Sequence, residues 1–68
     1  MTNRGAAARI ARYRQVIAQP QMIESARQYF AALVAGYDSA TAQGARPLVA
    51  YQQASRDAGP LLPPAEDL

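Results

Sequence analysis

Sixty-eight residues, a formal charge of +2 and the lack of both cysteine and histidine allow one small domain. They exclude disulfides, thiolate or imidazole metal sites, and Cys or His catalysis. Half of the residues are hydrophobic, but sixteen of these are Ala, and Leu, Ile, Val and Phe together number twelve, so the core must be thin.

All seven basic residues are Arg. With the Ala excess, this points to a GC-rich coding sequence and a bacterial or bacteriophage source. Charge is unevenly placed. Residues 1–14 carry four Arg and no acid, and the remainder carries three Arg and five acids. The apolar run YFAALVAGY, residues 29–37, is far shorter than the ~18 residues of a membrane span. The start resembles a mitochondrial presequence in composition but lacks the apolar stretch of a secretory signal. The expectation is a soluble chain, cytoplasmic or part of a virion, that keeps this segment as a helix.

The first predicted element is a helix over residues 2–19, with Thr2 or Asn3 as its N-cap. Ala6, Ile10, Tyr13 and Ile17 fall on one narrow stripe at helical spacing. Arg9 and Arg12 flank this stripe on one side, Arg14 flanks it on the other, and Arg4 lies opposite. Pro20 ends the helix.

A second helix is predicted over residues 21–37. Met22, Ile23, Ala26, Tyr29, Phe30, Leu33, Val34 and Tyr37 cover about 140° of its circumference, more than one neighbour requires. Ala31, Ala32 and Ala35 on the back, with Glu24 and Gln28, would let another backbone approach. Gly36 is the expected stop. The stretch DSATAQGAR, residues 38–46, reads as a polar connection with one short turn ended by Gly44.

Pro47 suits the first position of a weaker third helix, residues 47–58. Leu48, Tyr51, Ala54 and Ala58 lie on one side of it, with Val49 off the stripe. Residues 59–68, GPLLPPAEDL, read as an extended, Pro-rich acidic tail with polyproline II character. In that form Leu61, Leu62 and Leu68 have no local surface to bury against.

The fold class expected is therefore all-α: two main helices, a weaker third, an extended tail, and a thin core stabilised by a partner. No acid pair suits catalysis. Glu24, Asp38 and Asp57 are isolated, Glu66 and Asp67 lie in the tail, and the scattered glycines form no phosphate loop. No enzyme, metal or cofactor is expected.

Two motif-like features carry little. Ala32 and Gly36 match part of a helix-turn-helix, but Gly44 and Pro47 interrupt the recognition helix that would follow. Pro60 and Pro63 form a literal P-x-x-P, too short to mark a ligand by itself. Tyr13 and Tyr37 read as core rims, while Tyr29 and Tyr51 suit either a rim or an interface.

The leading expectation is a non-enzymatic accessory or structural subunit that docks on a larger protein assembly, such as a bacteriophage virion or a bacterial multi-protein complex. A second copy of the chain is a further candidate partner. Met22, Ile23, Tyr29, Phe30, Leu33, Val34, Leu61 and Leu62 would form the protein interface. Arg4, Arg9, Arg12 and Arg14 would meet phosphate or an acidic partner. The alternative is a small nucleic-acid-binding or regulatory protein that uses the Arg-rich first helix.

Overall fold

A computed structural model describes residues 1–63. Three helices, α1 (Asn3–Ile17), α2 (Glu24–Ala42) and α3 (Pro47–Ala58), are followed by a 3-10 turn, Gly59–Leu61. No strand occurs among the described residues, and the fold is all-α. Leu68, Glu66, Asp67 and the end of the tail lie outside the described residues.

Thr2 caps α1: its hydroxyl oxygen accepts the Gly5 N–H at 3.0 Å. This satisfies one of the four orphan donors of a helix start. Asn3, the other capping candidate, acts at a distance. Its side-chain oxygen accepts the Leu48 N–H at 3.0 Å, capping α3 from 45 residues away. Arg46, the N-cap residue of α3, offers no side-chain bond of its own.

The link between α1 and α2 is a turn. The Met22 N–H bonds to the Gln19 carbonyl at 3.2 Å, with Pro20 in the second position that suits its fixed φ. The turn uses residues that the apolar pattern assigns to the second helix, so α2 begins at Glu24 rather than at 21. Glu24 then sits in the first turn, where a negative charge meets the positive helix end.

Gly36 does not stop α2; the helix runs six residues further, to Ala42. A Cβ on Gly36 would lie 3.1 Å from the Ala54 Cβ and 3.3 Å from its Cα. At this glycine α2 and α3 approach closely enough that a side chain would crowd Ala54. The stop is at Gly44, which has φ +100°, a conformation natural only to glycine. The Ala45 N–H bonds to the Ala40 carbonyl and the Gly44 N–H to the Thr41 carbonyl, each at 3.0 Å. These two bonds are the Schellman pattern, and Ala40 and Ala45 both pack against the core.

Successive helices are antiparallel, so α1 and α3 run side by side in the same direction. The Asn3–Leu48 and Arg9–Tyr51 contacts fix this pairing. The core is Ala6, Ile10, Ala26, Leu33, Val34, Tyr37, Ala50, Ala54 and Ala58. Five of these nine are Ala, so the helices are held close by small side chains. Ile10 and Leu33 are the largest fully buried residues. Tyr13, Tyr29 and Tyr51 pack around this centre, half-buried.

The start of the tail is not extended. Residues 59–61 form the 3-10 turn, which contacts both α2 and α3, and Pro63 is buried. Leu61 and Leu62 thus have a surface beside them, yet they remain about half exposed.

Candidate functional site

Two surfaces gather the residues singled out by the sequence, and each has its own chemistry. The first is the end of the bundle where the α1–α2 link lies. Arg27, on the first turns of α2, holds this end together. Its guanidinium donates to the carbonyls of Ile17, Gln19 (2.8 Å) and Met22 (3.4 Å), and lies 3.5 Å from Glu24. A cation on the terminal carbonyls of α1 both satisfies orphan acceptors and opposes the negative helix end. Arg27 carries no periodic signal, because its partners are backbone atoms of another element.

Antiparallel packing returns the 3-10 turn to the N-terminal half of α2, so Leu61, Leu62 and Ile23 project at the same end. Ile23 is 53% exposed, Leu61 49% and Leu62 55%, high values for large aliphatic side chains. Met22, next to Ile23 in sequence, is half-buried. Tyr29 and Phe30 are also half-buried. Phe30 stacks on Tyr13 with ring centroids 4.8 Å apart and meets Tyr29 edge-on at 5.2 Å. Leu33 and Val34, expected at the partner interface, are 1% and 7% exposed and belong to the chain's own core. The wide face of the second helix is explained by its two neighbours within the chain, α1 and α3.

The second surface lies between α1 and α3. Arg9 reaches from α1 to Tyr51 on α3, with Nη1 donating to the hydroxyl at 3.5 Å and the guanidinium 6.0 Å from the ring centroid. Burial, and then the neighbouring Tyr51 hydroxyl, raises the Tyr13 pKa above its ordinary value. Alongside runs a shallow hollow of about 510 Å³ lined by Met1, Leu48, Tyr51, Gln52, Ser55 and Arg56.

The four N-terminal arginines are not gathered together. Arg14 lies on the opposite flank of α1 and forms a two-pronged ion pair with Asp38 of α2, Nη1 to Oδ2 at 2.9 Å and Nη2 to Oδ1. Hydrogen bonding from Arg14 lowers the Asp38 pKa. Arg4 and Arg12 are exposed. Among the described residues, Arg4, Arg9, Arg12, Arg46 and Arg56 form no ion pair with a carboxylate. Arg56 is the basic residue on this side that the sequence did not single out. The phase of α3 relative to α1 exists only in the packed bundle.

No polar or charged side chain is buried among the described residues. No group of three potential metal ligands occurs among them, and no helix there is long and apolar enough to cross a membrane. No family model, curated protein or solved structure matches the chain.

Proposed function

We propose that the chain is a non-enzymatic accessory subunit that docks on a larger protein assembly through the end of the bundle bearing Ile23, Leu61 and Leu62. One observation carries this reading: the core is mostly Ala, while these three large aliphatic residues stand about half exposed, Ile23 at the start of α2 and Leu61 and Leu62 at the 3-10 turn that packs on α2 and α3. A 68-residue chain has little apolar surface to spare. Exposed aliphatic surface of that kind suits an interface. Burying the exposed parts of three such side chains would contribute a few kcal/mol at ~25 cal/mol per Å². Met22 forms the rim of this contact, with Tyr29 and Phe30 held behind it by Tyr13. A virion of a bacterial virus or a bacterial multi-protein complex suits the small size and the Arg and Ala bias.

The test is co-purification of the tagged chain from its native source beside the double variant Leu61→Asp, Leu62→Asp. A stoichiometric partner should accompany the wild type and be lost from the variant, with both chains equally helical by circular dichroism. Equal recovery of that partner by the variant, or recovery of the wild-type chain alone, overturns the reading.

A further inference from the structure

We propose that α1 exchanges between two copies of this chain at high concentration, and that Arg27 is the latch that favours the closed monomer. Of the nine buried core residues α1 supplies only Ala6 and Ile10, and the other seven lie on α2 and α3. The α2–α3 pair is also joined at the close approach of Gly36 to Ala54. α1 is thus the helix that the rest of the bundle grips least, and lifting it away leaves α2 and α3 in contact.

The face that α1 would uncover has a known complement. Ile10 packs in the core with Leu33, Val34 and Tyr37, and Tyr13 stacks on Phe30. Around them lie the Arg14–Asp38 ion pair, the Arg9–Tyr51 bond and the cap that Asn3 places on the Leu48 N–H. The α1 of a second copy remakes each of these contacts with the same atoms. The occupant that fits the vacated face is therefore α1 itself, which is the condition for a swapped dimer.

The link sets the balance between the two forms. Residues 18–23 join α1 to α2. Pro20 opposes their continuation as one straight helix, so the opened link is extended. Six extended residues span about 20 Å, comparable with the 22 × 20 Å cross-section of the bundle. In the closed form the link is held by the Gln19–Met22 turn bond and by Arg27, whose guanidinium donates to the Ile17, Gln19 and Met22 carbonyls. These contacts belong to the closed turn, whereas the contacts between helices are the same in both forms. Monomer and dimer thus differ in their links and in the association of two chains, which concentration offsets. Leu61 and Leu62 take no part, so this inference stands or falls separately from docking on a protein.

The experiment has two arms, both on the full chain incubated at 1 mM until its distribution is constant. In the first, size-exclusion chromatography with light scattering compares the wild type with Arg27→Met, each checked as helical by circular dichroism. The wild type should show a minor dimer. Arg27→Met should raise the dimerisation constant at least about tenfold, since each dimer opens two links and charged hydrogen bonds are lost from the closed form. In the second arm, Arg14→Asp is mixed with Asp38→Arg. Each variant alone sets like charges face to face within its own bundle. In an exchanged heterodimer Arg14 of one copy meets Asp38 of the other, and the two substituted residues meet in the same way. Native mass spectrometry should then find heterodimers well above about half of all dimers, the share given by random pairing of two chains. This arm keeps Arg27, so it decides even where Arg27→Met does not fold.

Four results overturn the proposal: no dimer of the wild type at 1 mM; a helical Arg27→Met that dimerises no more than the wild type; a heterodimer share no greater than random, which marks copies that meet without exchanging α1; or loss of the dimer in Leu61→Asp, Leu62→Asp, which marks association through the exposed aliphatic end.

Discussion

Arg14 and Asp38 show how a single contact redirects the reading of a basic segment. Arg14 belongs to the cluster of four arginines by sequence, yet its charge is met within the chain. The pair also makes a prediction about pH. The folded-state pKa of Asp38 is lowered from its ordinary value near 3.8, with hydrogen bonding to Arg14 as the main cause. A lowered carboxyl pKa contributes stability above the unfolded pKa and loses it as pH falls through the folded pKa. The side chains are about half exposed, so the contribution is modest and sensitive to salt. The wild type should therefore melt slightly higher than Asp38→Asn at pH 7, and the gap should narrow as pH falls below about 3.8, so that it is smaller at pH 3. Thermal melts of both proteins at the two pH values check this. A gap that persists undiminished at pH 3 would show that the asparagine acts through something other than the lost charge.

At the scale of elements, what was legible was periodic and what was missed was relational. The stripe of Ala6, Ile10, Tyr13 and Ile17 places α1 correctly, because a 3.6-residue repeat is a property of one helix. The beginning of α3 at Pro47 is likewise a local signal. Gly36 misleads because a glycine inside a helix costs about 1 kcal/mol against Ala, which suggests a break. Here the cost is offset by the contact with Ala54, a residue on another helix. The cap on α3 supplied by Asn3, and the staple made by Arg27, are invisible for the same reason. The candidate site divides in the same way. Arg9 and Arg12 are placed on one flank by helical phase alone, whereas the addition of Arg56 and the burial of Leu33 and Val34 depend on which helices become neighbours.

The two central glycines give the test at this scale. Gly36→Ala gains helix propensity, but its methyl would sit 3.1 Å from the Ala54 Cβ and 3.3 Å from its Cα, so α2 and α3 must part by a few tenths of an ångström. Overpacking of that kind costs typically 1–3 kcal/mol, so the variant should be destabilised by up to about 2 kcal/mol. Gly44→Ala meets no atom within 4 Å and is opposed by its φ alone, at about 1–2 kcal/mol. Adding Ala54→Gly should recover stability in the Gly36→Ala background and not in the Gly44→Ala background, since only the first loses a clash. Urea unfolding of the two pairs separates these effects. Equal responses to Ala54→Gly would remove the close approach of α2 and α3 as the reason for Gly36.

For the whole molecule, the same economy sets both stability and role. Three helices close around Ile10, Leu33, Val34 and Tyr37, and Ala fills the rest of the core. A single core in a chain below about 70–80 residues rarely supplies more than 3–5 kcal/mol, and this one has no disulfide to add to it. Ile23, Leu61 and Leu62 contribute little to that core while half exposed, so their burial on a partner is stability that the isolated chain lacks. The free chain should therefore be helical but only marginally stable, with a urea midpoint low enough to leave little native baseline. Truncating Leu33 to Ala, at a typical cost of 2–5 kcal/mol, should unfold most of it at 25 °C. A partner that binds only the folded form should raise the midpoint with its concentration, by about 2.7 kcal/mol at 100 times its Kd. Circular dichroism during urea titration of the free chain measures the starting point. A sharp transition worth well over 5 kcal/mol in the isolated chain would show that the small core suffices, and the exposed aliphatic end would then need no partner to complete the fold.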